Sequence, residues 1–247
     1  MTFTTVLYHE IRREEEFNPD NPSHIDVKQA YDDILPSALF VTLEQFEEQM
    51  AYLKDNHFHT LSLSEVKDYY IKQTPIPEKS ILLTFDDCFQ SVKEFAYPVL
   101  KKHGFHAVSF VVTGWLHEDV KIFNPEKSVC LSKQDLKDME DVFEYANHTD
   151  AFHQRKDESV SLMMEATDEA FAADLAVCNE YVPVKNVFAY PFGLFTDRNV
   201  ALLKQNGFRL AFTCENGKND KHTDPLLLKR NVIPYFLTIE QFKAIVD

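Results

Sequence analysis

Two adjacent carboxylates, Asp86 and Asp87, close the run Ser80-Ile81-Leu82-Leu83-Thr84-Phe85. Adjacent carboxylates repel, so keeping both ionised beside a dry interior calls for a counter-charge, and a divalent cation is the simplest one. A second set of candidate ligands lies in His148-Thr149-Asp150-Ala151-Phe152-His153. A separation of five does not place two imidazoles on one helical face, where three or four is required. It does let them converge from a loop at a strand end. One carboxylate from the first segment and two imidazoles from the second give the three protein ligands of a catalytic metal site with an open position. Each segment also has an ordinary reading, a solvated Asp-Asp turn and a pair of polar loop histidines. His57 and His59 alternate along an extended stretch; a satisfied or solvent-facing pair is favoured there over a second metal pair. His24, His103, His106, His117 and His222 show no partner in the sequence and are expected to be structural or exposed.

The elements that must position these residues are legible in the pattern. Residues 80–86 form an unalternating apolar run of strand length, the mark of a strand buried on both faces in a parallel sheet. The C-terminal ends of such strands carry the chemistry of α/β barrels and open α/β sheets. Further strands are expected at Val6–His9, His57–Leu61, Ala107–Val112, Val142–Ala146, Val187–Ala189 and Leu210–Thr213. Between them, Thr42-Leu43-Glu44-Gln45, Ser62-Leu63-Ser64-Glu65, Ser91-Val92-Lys93-Glu94 and Thr238-Ile239-Glu240-Gln241 read as capping boxes. Ser132 and Thr196 open two more helices, and Gly104 and Gly207 end two of them. The stretch from Met163 to Tyr181 reads as one long helix with Met163, Ala166, Ala170, Ala173 and Val177 as its core stripe. Alternating strand and helix signals imply a parallel α/β architecture in a single domain over 1–247. A polar connection at 12–38, with Pro19, Pro22 and Pro36, is long enough to be either a lid or a disordered segment.

Composition removes several classes of function. The 247 residues are 45% hydrophobic, enough for a barrel-sized core. A net charge of −15 argues against nucleic acid or an anionic membrane as partner and suits a neutral or cationic ligand. No run of eighteen apolar residues is present, so no membrane span is expected. The N-terminus shows no signal-peptide pattern, which points to the cytoplasm unless an export signal has been removed. Cys88, Cys130, Cys178 and Cys214 lack CxxC spacing and read as reduced thiols. No GxGxxG, GxxxxGK[ST] or GxSxG occurs, which withdraws support from nucleotide-binding and serine-hydrolase readings.

Thr84-Phe85-Asp86-Asp87, His148-Thr149 with His153, and Phe188-Ala189-Tyr190-Pro191-Phe192-Gly193 together resemble the ordered motifs of the NodB-homology polysaccharide deacetylases, carbohydrate esterase family four. The resemblance runs from about Val6 to the C-terminus. It is greatest to the branch acting on poly-β-1,6-N-acetylglucosamine, which shares the five-residue histidine spacing and an N-terminal pair like Tyr8-His9. It implies a distorted (β/α) barrel of about seven parallel strands. It further implies one divalent metal, with Zn²⁺ expected and Co²⁺, Ni²⁺ or Fe²⁺ as alternatives, held by Asp87, His148 and His153. By the same resemblance Asp86 is the general base, His9 the general acid and the Phe192 backbone N–H an oxyanion donor. Tyr190, Pro191 and Phe192 are the expected substrate contacts, and an N-acetylated glycan is the expected substrate. Among the aromatic residues, Trp115 and Phe195 are expected in the core.

Two positions depart from the family pattern. Cys88 stands where a glycine usually follows the Asp pair, and Ala189 where an arginine often orients the base, so something else must hold Asp86. The two competing functional readings are a carbohydrate-binding pseudoenzyme and an intracellular metal-dependent amidase for a small substrate. Loss of a ligand or of the base would mark the pseudoenzyme, and neither is lost.

Overall fold

The apolar run that ends in the Asp pair is a strand buried along its whole length. In the computed structural model, which describes residues 1–21 and 23–247, it lies inside a nine-stranded sheet. The strands of that sheet are β1 (Thr2–Tyr8), β2 (His59–Thr60), β3 (Ser80–Asp86), β4 (Ala107–Val111), β5 (Phe143–Asn147), β6 (Val187–Ala189), β7 (Leu210–Phe212), β8 (Lys218–Asp220) and β9 (Asn231–Val232). The order across the sheet is β7-β6-β5-β4-β3-β1-β8, with β2 beside β3 and β9 beside β1. All pairings are parallel except β1 with β8. The architecture is a distorted β/α barrel with mostly parallel strands, as expected. The chain following β7 bridges its two edges: Leu228 pairs with Phe212, while Asn231 and Val232 pair with Val6 and Leu7.

Pleating sorts the side chains of β3. Leu82 belongs to an interior cluster with Val108, Phe110, Ala146, Ala189 and Phe212. Ile81, Leu83 and Phe85 face the helix layer, among them Phe46, Met50, Val99 and Leu100. Asp86 shares the parity of Leu82 and therefore points inward at the C-terminal mouth. Full burial on both faces explains why this strand reads as a continuous apolar run.

Helices α1 (Leu43–Asp55), α2 (Leu63–Ile71), α3 (Tyr97–His103) and α4 (Lys133–Asp138) intervene between strands, followed by α5 (Leu162–Glu165), α6 (Asp168–Tyr181), α7 (Asp197–Gln205) and α8 (Ile239–Val246). Reciprocal capping boxes form at Thr42, Ser62, Ser132, Thr196 and Thr238. Ser91 is different: it is already helical, and its Oγ accepts from Ile11 N–H at 3.0 Å rather than capping. A π-helical stretch, Val92–Ala96, leads from there into α3.

Two further expectations change. The 163–181 stretch is two helices, because Ala166 leaves the helical region and Thr167 caps α6 anew, accepting from Ala170 N–H. That break resets the phase. Phe171, Asp174, Leu175 and Cys178 are buried, whereas Ala170, Ala173 and Val177 of the expected stripe face solvent. The connection at 12–38 carries strands: Ser23–Asp26 pairs with Ile34–Leu35 and with Lys127–Val129. Tyr31 stacks on Trp115 with centroids 5.6 Å apart, and Leu35 is buried. These apolar anchors are diluted among charged residues, which is why the segment reads as featureless. Pro22, one of its three prolines, lies outside the described residues.

Among the described residues no helix is long and apolar enough to cross a membrane. All four cysteines are free, three of them buried.

Candidate metal centre

Because the strands run parallel, their C-terminal ends gather on one face, and that face contributes His9 after β1, Asp86 and Asp87 at β3, His148 after β5, Phe192 after β6, Cys214 after β7 and Val232 of β9. These residues line a cavity of about 300 Å³. Its outer wall is built by Ile25, Asp33, Ile34, Leu35, Pro36 and Ala38. The segment expected to be a lid or disordered is thus part of the pocket.

Asp87, His148 and His153 each offer a ligand atom, and these atoms lie within 4.8 Å of one another. His153 Nε2 is 3.2 Å and His148 Nε2 3.6 Å from Asp87 Oδ1. All three residues are buried. His148 Nδ1 lies 2.8 Å from the Ala189 carbonyl, which can only accept, so the proton sits on Nδ1 and the Nε2 lone pair faces the carboxylates. His153 is held by rings, with centroids 4.6 Å from Trp115 and 4.3 Å from Phe192.

The protonation pattern suits a cation. Burial, reinforced by the neighbouring Asp86 charge, pushes the Asp87 carboxyl well above its usual range. Burial lowers both His148 and His153, the latter further because of His148 beside it. Neutral imidazoles keep their lone pairs free for a metal, and a divalent ion would supply the charge that favours the ionised form of Asp87, which burial and Asp86 disfavour. Asp87 Oδ1 is buried with no hydrogen-bond partner among the described residues. An unsatisfied buried oxygen costs about 1–3 kcal/mol, and a cation between the three donors would satisfy it. The residues fit the group.

Asp86 is set apart from Asp87 by Arg230. Both guanidinium ends donate to it, Nη1 to Oδ1 at 2.7 Å and Nη2 to Oδ2 at 2.8 Å, while Nε donates to the Thr213 carbonyl at 2.9 Å. Burial pushes Asp86 upward, but the Arg230 charge, helped by His148 and His9, outweighs it and leaves the carboxyl at about 2. Arg230 stands just before β9, in the stretch that bridges the barrel edges, and therefore reaches inward across 144 residues of sequence. It does the orienting that Ala189 cannot. A buried arginine next to an interior carboxylate has no local sequence signature.

The turn after the Asp pair is strained. Asp87 and Cys88 take φ of +71° and +56°, and non-glycine residues there cost about 1 kcal/mol or more each. The turn is held by Asp87 N–H donating to the Phe110 carbonyl at 3.2 Å and Leu131 N–H donating to the Cys88 carbonyl at 2.8 Å. Where the family pattern has glycine, these bonds keep a cysteine in the left-handed region. Phe192 is likewise left-handed at +60°. Gly193 must be glycine, since a Cβ there would lie 2.8 Å from the Cβ of Cys214.

His9 lines the pocket, with Nδ1 buried and unpartnered among the described residues. Burial lowers it to about 4 despite the Asp86 charge that favours its cation. Tyr190 and Pro191 are placed differently from the expectation. Tyr190 shares the parity of Phe188, packs in the outer cluster against Phe195 at 4.4 Å, and donates its hydroxyl to the Leu226 carbonyl at 3.0 Å. Both Tyr190 and Pro191 are buried away from the pocket, which Phe192 of the expected trio does line. Trp115 is buried in the core, and Phe195 packs against the outer cluster.

Asp33 and Arg155, which sequence reasoning missed, form a bidentate pair at 2.8 Å on the rim. Gln29 also donates to the Ala151 carbonyl at 3.0 Å. Together these contacts tie the outer wall to the histidine loop. His59 is not ligand-like; its Nε2 lies 2.7 Å from Glu65, and His57 has left the strand with φ +59°.

A family model described as polysaccharide deacetylase matches residues 73–211. The poly-beta-1,6-N-acetyl-D-glucosamine N-deacetylase of Staphylococcus aureus (strain MSSA476) is 29% identical over 210 residues, 80% of this chain and 70% of that protein. The protein of the same name from Staphylococcus epidermidis is 28% identical over 182 residues, 71% of this chain and 61% of that protein. Among solved structures, the Streptococcus pyogenes deacetylase PplD in complex with acetate superposes with a TM-score of 0.79 at 21% identity, covering 100% of this chain and 99% of that one. IcaB from Ammonifex degensii superposes with 0.71 at 20% identity, covering 98% and 97%. At these identities the structural matches establish the shared fold.

Proposed function

Since the chain belongs to the polysaccharide deacetylase family, whose model spans more than half of it, we propose that it removes N-acetyl groups from a β-1,6-linked N-acetylglucosamine glycan by hydrolysis. The observation that carries this reading is the inward convergence of Asp87, His148 and His153 beside a separately oriented Asp86. The glycan is taken from the names of the staphylococcal relatives.

Asp87, His148 and His153 would hold the divalent ion, with zinc the expected metal. Such an ion supplies Lewis-acid polarisation of the acetamide carbonyl and acidifies the attacking water.

The remaining work falls to the protein. At about 2, Asp86 is ionised throughout the neutral range and is a weak base; the Arg230 fork contributes orientation and permanent availability rather than basicity. Asp86 accepts the proton of the attacking water. The Phe192 N–H stabilises the oxyanion, and one such donor typically contributes about 3 kcal/mol to barrier lowering. His9, held neutral by burial, starts the cycle without the proton a general acid must give. The proton that leaves water for Asp86 therefore passes on to His9, which lines the same cavity, and from His9 to the departing nitrogen. Water and amide are consumed; acetic acid and a sugar amine form, and the acid's proton ends on the amine, leaving acetate and a sugar ammonium. The acidic surface, at −15 overall, tolerates that cationic product.

Cys88 and Ala189, the two departures from the family pattern, both have structural substitutes in the turn bonds and in Arg230. The decisive assay is acetate release from N-acetylglucosamine monomer and β-1,6-linked pentamer with Zn²⁺ or Co²⁺ added. Release from the pentamer exceeding that from the monomer, and abolished by chelation, is expected. Absence of acetate from every oligomer would overturn the proposal.

A further inference from the structure

The loop carrying both imidazoles spans six residues and has little secondary structure of its own, yet its ligands must be held to within about 0.5 Å for a tight site. One side of the loop is held from α6. Asp174, 7% exposed in that helix, accepts from two successive backbone N–H groups of the loop: Asp150 N–H to Oδ1 at 2.9 Å and Ala151 N–H to Oδ2 at 2.7 Å. In the same helix, the carbonyl of the adjacent Leu175 and Oδ1 of Asn179 accept from the Asn147 side-chain amide at 3.0 and 3.2 Å. Asn147 in turn accepts from Thr149 N–H at 2.8 Å, where the chain passes through φ +75°. The opposite side of the loop is pinned by Thr113 N–H donating to the Thr149 carbonyl at 3.2 Å and Gly114 N–H donating to the Asp150 carbonyl at 3.0 Å. A Cβ on Gly114 would lie 2.5 Å from that carbonyl oxygen, so the approach is available only to glycine.

We propose that Asp174 is a positioning residue for the metal centre, a buried carboxylate that fixes the His148–His153 loop in its ligand geometry without touching the ion. The inference rests on Asp87, His148 and His153 being the ligand set. Its logic is that of supporting hydrogen bonds around metal sites, whose loss typically weakens metal binding about 10–100-fold. Charge-assisted bonds from a carboxylate to two consecutive N–H groups are the strong kind. Burial raises the Asp174 carboxyl to about 6, with those same N–H groups pulling the other way, so it is ionised at neutral pH. Asparagine at 174 keeps the size and one acceptor but turns an NH₂ toward the second N–H.

The test is the Zn²⁺ dissociation constant of the folded chain, by competition with a chromophoric chelator, for wild type, Asp174→Asn, Asp174→Ala and Asp87→Ala, with thermal unfolding of the zinc-free proteins alongside. Wild type is expected to bind one Zn²⁺. Asp174→Asn is expected to bind about tenfold more weakly, with kcat largely regained at saturating Zn²⁺. If Asp174→Ala does not fold, the isosteric Asp174→Asn decides. Wild-type zinc affinity in Asp174→Asn would overturn the inference, even with a lowered melting temperature, because the carboxylate would then only support the fold. Failure of wild type to bind Zn²⁺, or undiminished binding in Asp87→Ala, would instead overturn the ligand assignment beneath it.

Discussion

Replacing Arg230 with methionine keeps much of the buried volume and removes the only guanidinium that faces Asp86 among the hydrogen bonds described. The magnitude follows from the site. Asp86 sits at about 2 against an ordinary 3.8, and each pKa unit is about 1.4 kcal/mol, so the net stabilisation of its ionised form is about 2 kcal/mol. That is what remains after burial has worked against it; the clamp itself is stronger. Arg230 is 0% and Asp86 2% exposed, so solvent screening does not discount the figure. Stranding a buried charge typically costs 3–5 kcal/mol, which is the destabilisation expected for Arg230→Met at pH 7. The sign follows from the depressed pKa: the contribution is complete above about pH 4 and is lost as pH falls toward 2. Urea unfolding of zinc-free wild type, Arg230→Met, Asp86→Asn and the double variant gives the coupling directly. At least about 2 kcal/mol is expected, with the double variant more stable than Arg230→Met alone. Arg230→Lys is expected to leave most activity unrestored, because an ammonium cannot fork onto both oxygens. A coupling below about 0.5 kcal/mol would refute the claim that Arg230 holds the base.

His9 is lowered from 6.5 to about 4 by burial, so between those values the unfolded chain binds a proton that the folded chain does not, and stability falls as pH drops through 6.5. His9→Gln should therefore lose about 2 kcal/mol less than wild type on going from pH 7.5 to pH 5, while activity at neutral pH drops about 10²–10⁴-fold; urea titrations at the two pH values and an acetate assay check both. On α6, Leu175→Ala should cost about 2–5 kcal/mol, whereas Val177→Lys should stay within about 0.5 kcal/mol, since Leu175 is buried and Val177 exposed. Equal costs by chemical denaturation would contradict the reset phase of that helix.

Features that were legible in the sequence are those whose cause is local. The unbroken run through β3 and its acidic end report burial on both faces, and the capping boxes at Thr42, Ser62 and Thr238 report contacts three residues apart. The histidine pair was legible because a five-residue spacing after a strand suits a loop and not a helix. What depends on closure of the barrel was not legible. Arg230 reaches Asp86, and Arg155 reaches Asp33, only because distant segments meet. Asp174 looks like any acidic residue of an amphipathic helix until the loop above it is in place. Ser91 has the sequence of a cap, but its hydroxyl is drawn to Ile11 N–H instead. Tyr190 was assigned to the substrate by its motif, and the pleat turned it toward the helices, beside Phe188.

One measurement bears most directly on the metal centre: an anomalous difference map from crystals of the chain grown with Zn²⁺ and recorded across the zinc edge. The expected result is a single strong peak about 2.0–2.2 Å from an oxygen of Asp87 and from Nε2 of both His148 and His153, with Asp86 still forked onto Arg230. A map with no peak among those three side chains, or a zinc held elsewhere while they remain apart, would contradict it.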